Sequence, residues 1–217
     1  MVKKASIKGL IIKYLFEKAN LITVDAAYMK KEVQKFTHKI SRVEQINFGT
    51  DTNVFYNYNL NKNNVRIVSL RNLETLYDIG TLISASSILY KKYKMKNFTV
   101  DIFGQGSQQK NLSNQINKLG LNEIINLKGR YDYKNLPKLL NNYDIYVSTS
   151  TSDAGLAAST SEAMACELLI VTADNSENRF WMNDKCGFLF TTSNSNDLAD
   201  KINEIVNIPV EEKNIFR

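Results

Sequence analysis

From residue 65 onward the chain alternates short apolar runs with longer segments whose apolar residues recur at helical spacing. The runs cover residues 65–70, 98–103, 124–127, 143–147, 168–171 and 187–190. Helical periods fall between them, over residues 77–93, 108–119, 135–141 and 196–206, with a further helix opening after residue 147. The runs are continuously apolar, so both faces of each strand must be covered, and a strand followed by a helix cannot turn back into its neighbour by a hairpin. The expected fold class is therefore α/β: a Rossmann-like parallel sheet with helices on both faces. Ligands of such sheets sit at the carboxyl ends of the strands, so those loops are where function is sought.

The first sixty residues read differently. Residues 4–19 place Ile7, Leu10, Ile11, Tyr14 and Leu15 on one helical face, with lysines between. A strand over 21–24, a helix over 26–36 and a strand over 43–47 follow, and then a polar, turn-prone stretch at 48–64 that reads as a boundary. Composition removes several functions. The 28 Lys and Arg against 22 Asp and Glu leave a net charge of +6, but no basic run carries the aromatic residues used to stack bases, so nucleic acid is not an expected partner. The single histidine, His38, lies in a polar context, which argues against Ser/His or Cys/His nucleophiles and against a histidine-rich metal site. Cys166 and Cys186 lie in no metal-ligand spacing and suit a reducing compartment. No apolar run reaches membrane-spanning length, and the start does not continue into a signal-peptide core. The expectation is a soluble, cytoplasmic protein.

Four loops follow strand ends. In Ser69-Leu-Arg71-Asn-Leu-Glu74, Arg71 could clamp a phosphate with two hydrogen bonds or form a surface ion pair with Glu74. Gly104-Gln-Gly106 marks a sharp backbone turn. Gly129-Arg-Tyr-Asp132 is placed to touch a base or ring. The last and longest runs from Ser148 to Cys166. Small hydroxyl residues lead there into a helix expected to carry Gly155, Ala157, Ala158 and Ser159 in its first turns and Glu162 one turn further in. A helix start with small side chains can hold a phosphate or diphosphate, and a carboxylate deeper on the same helix can accept hydrogen bonds from ribose hydroxyls. By itself Asp153 reads as a helix N-cap or an exposed loop acid.

In order, Gly49-Thr-Asp51, Arg71, Gly104-x-Gly106, Gly129, Asp144-Ile-Tyr-Val-Ser148, Glu162-Ala-Met-Ala-Cys166, Asn178-Arg179-x-Trp181 and Cys186-Gly-Phe-Leu-Phe190 resemble the donor-binding, C-terminal half of a GT-B retaining glycosyltransferase of family 4, the glycosyl transferases group 1 domain. The resemblance implies a nucleotide sugar, such as a UDP- or GDP-sugar, bound without metal or other cofactor. Arg71 and Asp153 would be the catalytic pair, with Arg71 steadying the departing diphosphate. Gly104, Gly106, Gly129, Arg130, Gly155, Leu156, Ser159 and Glu162 would line the donor site. It implies domains at 1–57 (a remnant of the acceptor domain and crossover), 58–208 (nucleotide-sugar binding) and 209–217 (a curtailed tail). It also implies an acceptor that is a glycan or lipid-linked glycan, and a partner chain supplying the acceptor domain or self-association through the face of Leu10, Ile11 and Tyr14. The lysines near the N-terminus would favour weak peripheral contact with the inner membrane surface. The sequence departs from the family pattern at Ala154, where a sugar-contacting acid is expected, at Leu76 for a lysine, at Glu167 for a glycine and at Phe180 for an acid.

Overall fold

The computed structural model describes residues 6–57, 65–153, 155–175, 178–182 and 186–208. It divides into two compact units, residues 1–49 with 154–156, and residues 50–153 with 157–217. The first unit holds α1 (Ile7–Lys18), β1 (Ile22–Val24), α2 (Ala27–Gln34) and β2 (Val43–Gln45). Ser6 caps α1 by accepting from the Gly9 amide at 3.1 Å. The two strands pair in parallel, and Val24, Val33 and Val43 close a small core. The apolar face of α1 is not part of that core: Ile7, Leu10, Ile11, Tyr14 and Leu15 are between 54% and 79% exposed. Lys3 and Lys4 of the basic N-terminus lie outside the described residues.

The second unit contains β3 (Val65–Ser69), α3 (Ile79–Lys91), β4 (Phe98–Phe103), α4 (Gln109–Leu119), β5 (Ile125–Gly129), α5 (Leu136–Leu140), β6 (Ile145–Ser148), α6 (Ala158–Ala165), β7 (Leu169–Ala173), α7 (Asn178–Trp181), β8 (Phe188–Phe190) and α8 (Ser195–Asn207). Its six strands are all parallel, in the order β5-β4-β3-β6-β7-β8. Residues alternate across the sheet. Ile67, Ile145, Val147 and Val171 pack toward Leu82, Ile116, Leu198 and Ile202 of α3, α4 and α8. Their neighbours Val68, Tyr146 and Ile170 pack toward Leu136, Leu140 and Ala163 of α5 and α6. A one-residue slip would exchange the two sets, and each fully buried aliphatic side chain is worth about 1.5–3 kcal/mol, so the register is strongly held. The chain builds outward from β3 to one edge, then returns to β6 and builds toward the other. The order therefore reverses between β3 and β6, and the carboxyl ends of those two strands border the crevice.

The turn after α6 answers the expectation at Glu167. The Leu168 amide donates to Ala163 O at 3.1 Å and the Glu167 amide to Met164 O at 2.9 Å, the paired bonds of a Schellman cap. Glu167 therefore takes the left-handed position that glycine fills cheaply, with φ 58°. Its carboxylate accepts from Asn57 Nδ2 at 2.7 Å, an exposed bond. A left-handed non-glycine residue costs about 1–2 kcal/mol, more than an exposed hydrogen bond returns. Glu167→Gly is therefore expected to stabilise the protein by about 0.5–1 kcal/mol, seen as a higher Tm. A lower Tm would show that the bond to Asn57 outweighs the backbone.

Candidate functional site at the switch point

Three loops meet at the carboxyl ends of the central strands and are stitched together by hydrogen bonds. In the loop after β3 the Leu73 amide donates to Gln105 O (3.1 Å) and Leu73 O accepts from the Gln108 amide (2.9 Å). Glu74 accepts from the Ser107 amide at 2.8 Å and its hydroxyl at 2.5 Å, so it is engaged with the neighbouring loop and not with Arg71. The loop after β6 joins from the other side, with the Thr149 hydroxyl donating to Tyr77 O at 2.7 Å and the Thr151 amide to Leu76 O at 2.9 Å. Close approach explains the two glycines. A Cβ at Gly104 (φ 147°) would lie 2.5 Å from Arg71 O, and one at Gly106 would collide with the Leu73 carbonyl. The hydroxyl residues after β6 thus serve largely to fasten this loop.

Arg71 and Asp153, separated by 82 residues in sequence, form an ion pair through Arg71 Nη2 and Asp153 Oδ1, both side chains being more than nine-tenths buried. The second carboxylate oxygen, Oδ2, accepts from Asn175 Nδ2 at 3.1 Å, and that amide also donates to Ser150 O at 3.1 Å. The guanidinium lies over the Tyr77 ring, 4.7 Å from its centroid. Arg71 Nε is buried without a hydrogen-bond partner, as are the hydroxyls of Ser69, Ser148 and Thr172 at the ends of β3, β6 and β7. The indole Nε1 of Trp181 is likewise buried without a partner, while Ser69, Arg71 and Ser148 bring three such atoms to the switch point.

Glu162 is buried on α6, and burial pushes its carboxyl above the usual carboxylate range. The Tyr133 hydroxyl, which donates to Oε1 at 2.9 Å, partly offsets this. Tyr133 is 60% exposed on a short turn held by Asp132, whose Oδ1 accepts from the Lys134 amide at 3.1 Å. Tyr131 lies in the same neighbourhood: burial raises its hydroxyl pKa, Glu162 and Tyr146 raise it further, and Arg71 lowers it. Ser159 joins through a 2.8 Å hydrogen bond with the Tyr146 hydroxyl.

Of the expected site residues, Arg71 and Asp153 are in contact, Gly104 and Gly106 pack against the loop that carries Arg71, and Ser159 and Glu162 lie on α6, with Tyr131 within electrostatic reach of both Glu162 and Arg71. Gly129 (φ 71°) is tied to the same loop cluster, its carbonyl accepting from the Gly104 amide at 2.7 Å, and Arg130 is exposed. Gly155 and Leu156 group with the first unit instead. The helix also begins later than expected, at Ala158 and not near Gly155, because Gly155 has φ 110°, a conformation no helix contains. Ala154, the slot of the expected acid, lies outside the described residues, as do Glu177, the polar segment 58–64 and the C-terminal residues 209–217. The sequence reading missed Asn175, Tyr133 and Tyr77. Asn175 stands just past β7, so the strand-end rule applied to every strand would have found it. Among the described residues no group of three or more His, Cys, Asp or Glu side chains could hold a metal ion, and no helix is long and apolar enough to cross a membrane.

Residues 50–217 match the family of glycosyl transferases group 1. The chain belongs to that family. This group 1 chain is 27% identical over 177 residues to the GtfA subunit of UDP-N-acetylglucosamine–peptide N-acetylglucosaminyltransferase from Streptococcus gordonii, covering 81% of this chain and 32% of that protein. It is 33% identical over 132 residues to poly(ribitol-phosphate) alpha-N-acetylglucosaminyltransferase from Staphylococcus aureus (strain COL), covering 59% and 26%. Among solved structures, HepE of Anabaena in complex with UDP and glucose superposes with a TM-score of 0.80 at 20% identity, over 95% of this chain and 58% of that one. The group 1 chain thus has the fold seen in GT-B glycosyltransferases and spans about a third or less of the curated relatives it matches.

Proposed function

We propose that the chain is the donor-binding half of a glycosyltransferase that takes a UDP-sugar and transfers the sugar with retention of configuration. The observation that carries this reading is the buried Arg71 at the reversal of strand order, with the buried Glu162 on the adjoining helix. Arg71 would neutralise charge on the departing diphosphate, Glu162 would accept from the ribose hydroxyls, and the turn from Gly129 to Asp132 would border the base. Positioned charge that meets a developing anion in a dry site is a large catalytic term and needs no nucleophile from this chain. The reading uses no metal, assigning the diphosphate charge to Arg71. UDP is chosen over GDP because GtfA is named for UDP-N-acetylglucosamine and HepE is bound to UDP.

The acceptor, a glycan or lipid-linked glycan in this reading, would be oriented by a further domain, for which the exposed face of α1 is the contact surface. Two free thiols suit a cytoplasmic setting, with peripheral contact at the inner membrane surface through the basic N-terminus. A second reading, a binding module without turnover, is favoured by Arg71 already carrying a carboxylate of its own. Calorimetric titration of the full chain with UDP, UDP-N-acetylglucosamine and GDP-mannose tests both. Saturable binding of the two uridine ligands, with weaker binding of GDP-mannose, is expected. Release of free sugar or UDP separates the enzyme from the module, and failure of any nucleotide to bind would end both.

A further inference from the structure

We propose that Asp153 is a resident counter-anion that occupies Arg71 until a diphosphate displaces it, and that Asn175 is the latch holding it there. The proposal rests on the reading of Arg71 as the diphosphate clamp. Nη2 belongs to both of the two-pronged edges by which a guanidinium can grip an oxyanion. Asp153 Oδ1 sits on that nitrogen, and Nε, the other prong of one edge, is buried with no partner. In this arrangement neither edge is free to clamp a phosphate. Both oxygens of Asp153 are used, Oδ1 on Arg71 and Oδ2 on Asn175, and Asn175 is itself anchored to Ser150 O, so the carboxylate is positioned against the guanidinium from two sides.

Charge makes the competition sharp. Arg71 is the one buried cation among the described residues, and Leu76, further along the same loop, adds no second one. A carboxylate and a phosphate held on one guanidinium in a low-dielectric crevice repel each other, so the two states exclude one another. The face of Tyr77 supports the guanidinium plane without fixing its rotation, because attraction to a ring face has no preferred in-plane direction. The apparent affinity for a diphosphate is then the intrinsic one reduced by the fraction of molecules in which Asp153 has let go.

UDP titration of the full chain tests this in wild type, Asp153→Asn and Asn175→Ala, with Tm and circular dichroism recorded for each. Asp153→Asn keeps the shape and removes the charge, and it should bind UDP about tenfold more tightly. Asn175→Ala should gain about threefold, because a loosened carboxylate competes less well. A merely structural role would leave affinity unchanged or lower it. An independent check needs no variant: in a crystal of the wild-type chain with UDP, Asp153 should have left Arg71 Nη2. Persistence of that contact beside bound UDP overturns the proposal. If wild type binds UDP and neither variant gains affinity, the latch is wrong while the diphosphate reading stands. Binding by Asp153→Asn alone supports the latch, and binding by none of the three overturns both.

Discussion

Arg71→Met is expected to lower the stability of the fold by about 3 kcal/mol and to weaken UDP binding by about a hundredfold. The stability loss follows from what the substitution leaves behind. Asp153 and Arg71 are both buried, and removing one member of a buried pair strands the other charge, a change that costs about 3–5 kcal/mol. Asn175 still donates to Asp153, which places the cost at the lower end. The binding loss follows from two charge-assisted hydrogen bonds of about 2 kcal/mol each, close to a thousandfold together, less the roughly tenfold already lost to competition by Asp153. The double variant Arg71→Met with Asp153→Leu separates the two effects. It should regain most of the stability, because an apolar pair of similar volume avoids the desolvation of both charges, and it should still fail to hold UDP. Urea denaturation and calorimetry on wild type, the two single variants and the double variant give the cycle. A single Arg71→Met variant as stable as wild type would show that the ion pair contributes nothing to the fold.

That pair also marks how far the sequence could be read. The six strands were legible because a strand buried on both faces is an unbroken apolar run, and their loops pointed to Arg71 and Glu162. The partner of Arg71 was not legible. Glu74 was the near candidate in sequence, but its carboxylate is engaged by Ser107, while the true partner lies 82 residues away. Only the return of the chain from the β5 edge to β6 brings it close. Local backbone conformation accounts for the misplaced helix starts. Asp78, with φ 44°, interrupts the expected helix over 77–93 and delays it to Ile79, as Gly155 delays α6. The helix α7 has four residues, too few to establish a period. Tyr133 had no pattern to betray it, since what it does depends on a contact and not on spacing, whereas Asn175, just past β7, lay within reach of the strand-end rule.

Glu162 carries the second large effect, and its direction differs between the free and bound protein. Burial raises its folded-state pKa despite the Tyr133 hydroxyl, so folding favours the protonated acid. A group shifted this way contributes stability that is fully present below its unfolded pKa and is lost as pH rises through the folded value. At neutral pH the carboxylate is therefore a burden on the free protein. Glu162→Gln keeps an oxygen for the Tyr133 hydroxyl and removes the buried charge, so the Tm of the free protein should rise at pH 7 and the gap to wild type should close as pH falls. UDP binding should move the other way. Two ribose hydroxyls donating to a carboxylate give charge-assisted bonds worth about 2 kcal/mol more than those to an amide, so Glu162→Gln should bind UDP about thirtyfold more weakly. Wild-type affinity should likewise decline as pH falls through the raised pKa of Glu162. A comparison of UDP with 2′-deoxy-UDP isolates the contact: wild type should prefer the ribose form and Glu162→Gln should lose most of that preference. An unchanged preference would remove Glu162 from the ribose site, whatever happened to the Tm. The expected gain in stability with loss of binding is the signature of a buried charge kept for a ligand, because a charge kept for the fold would lose both together.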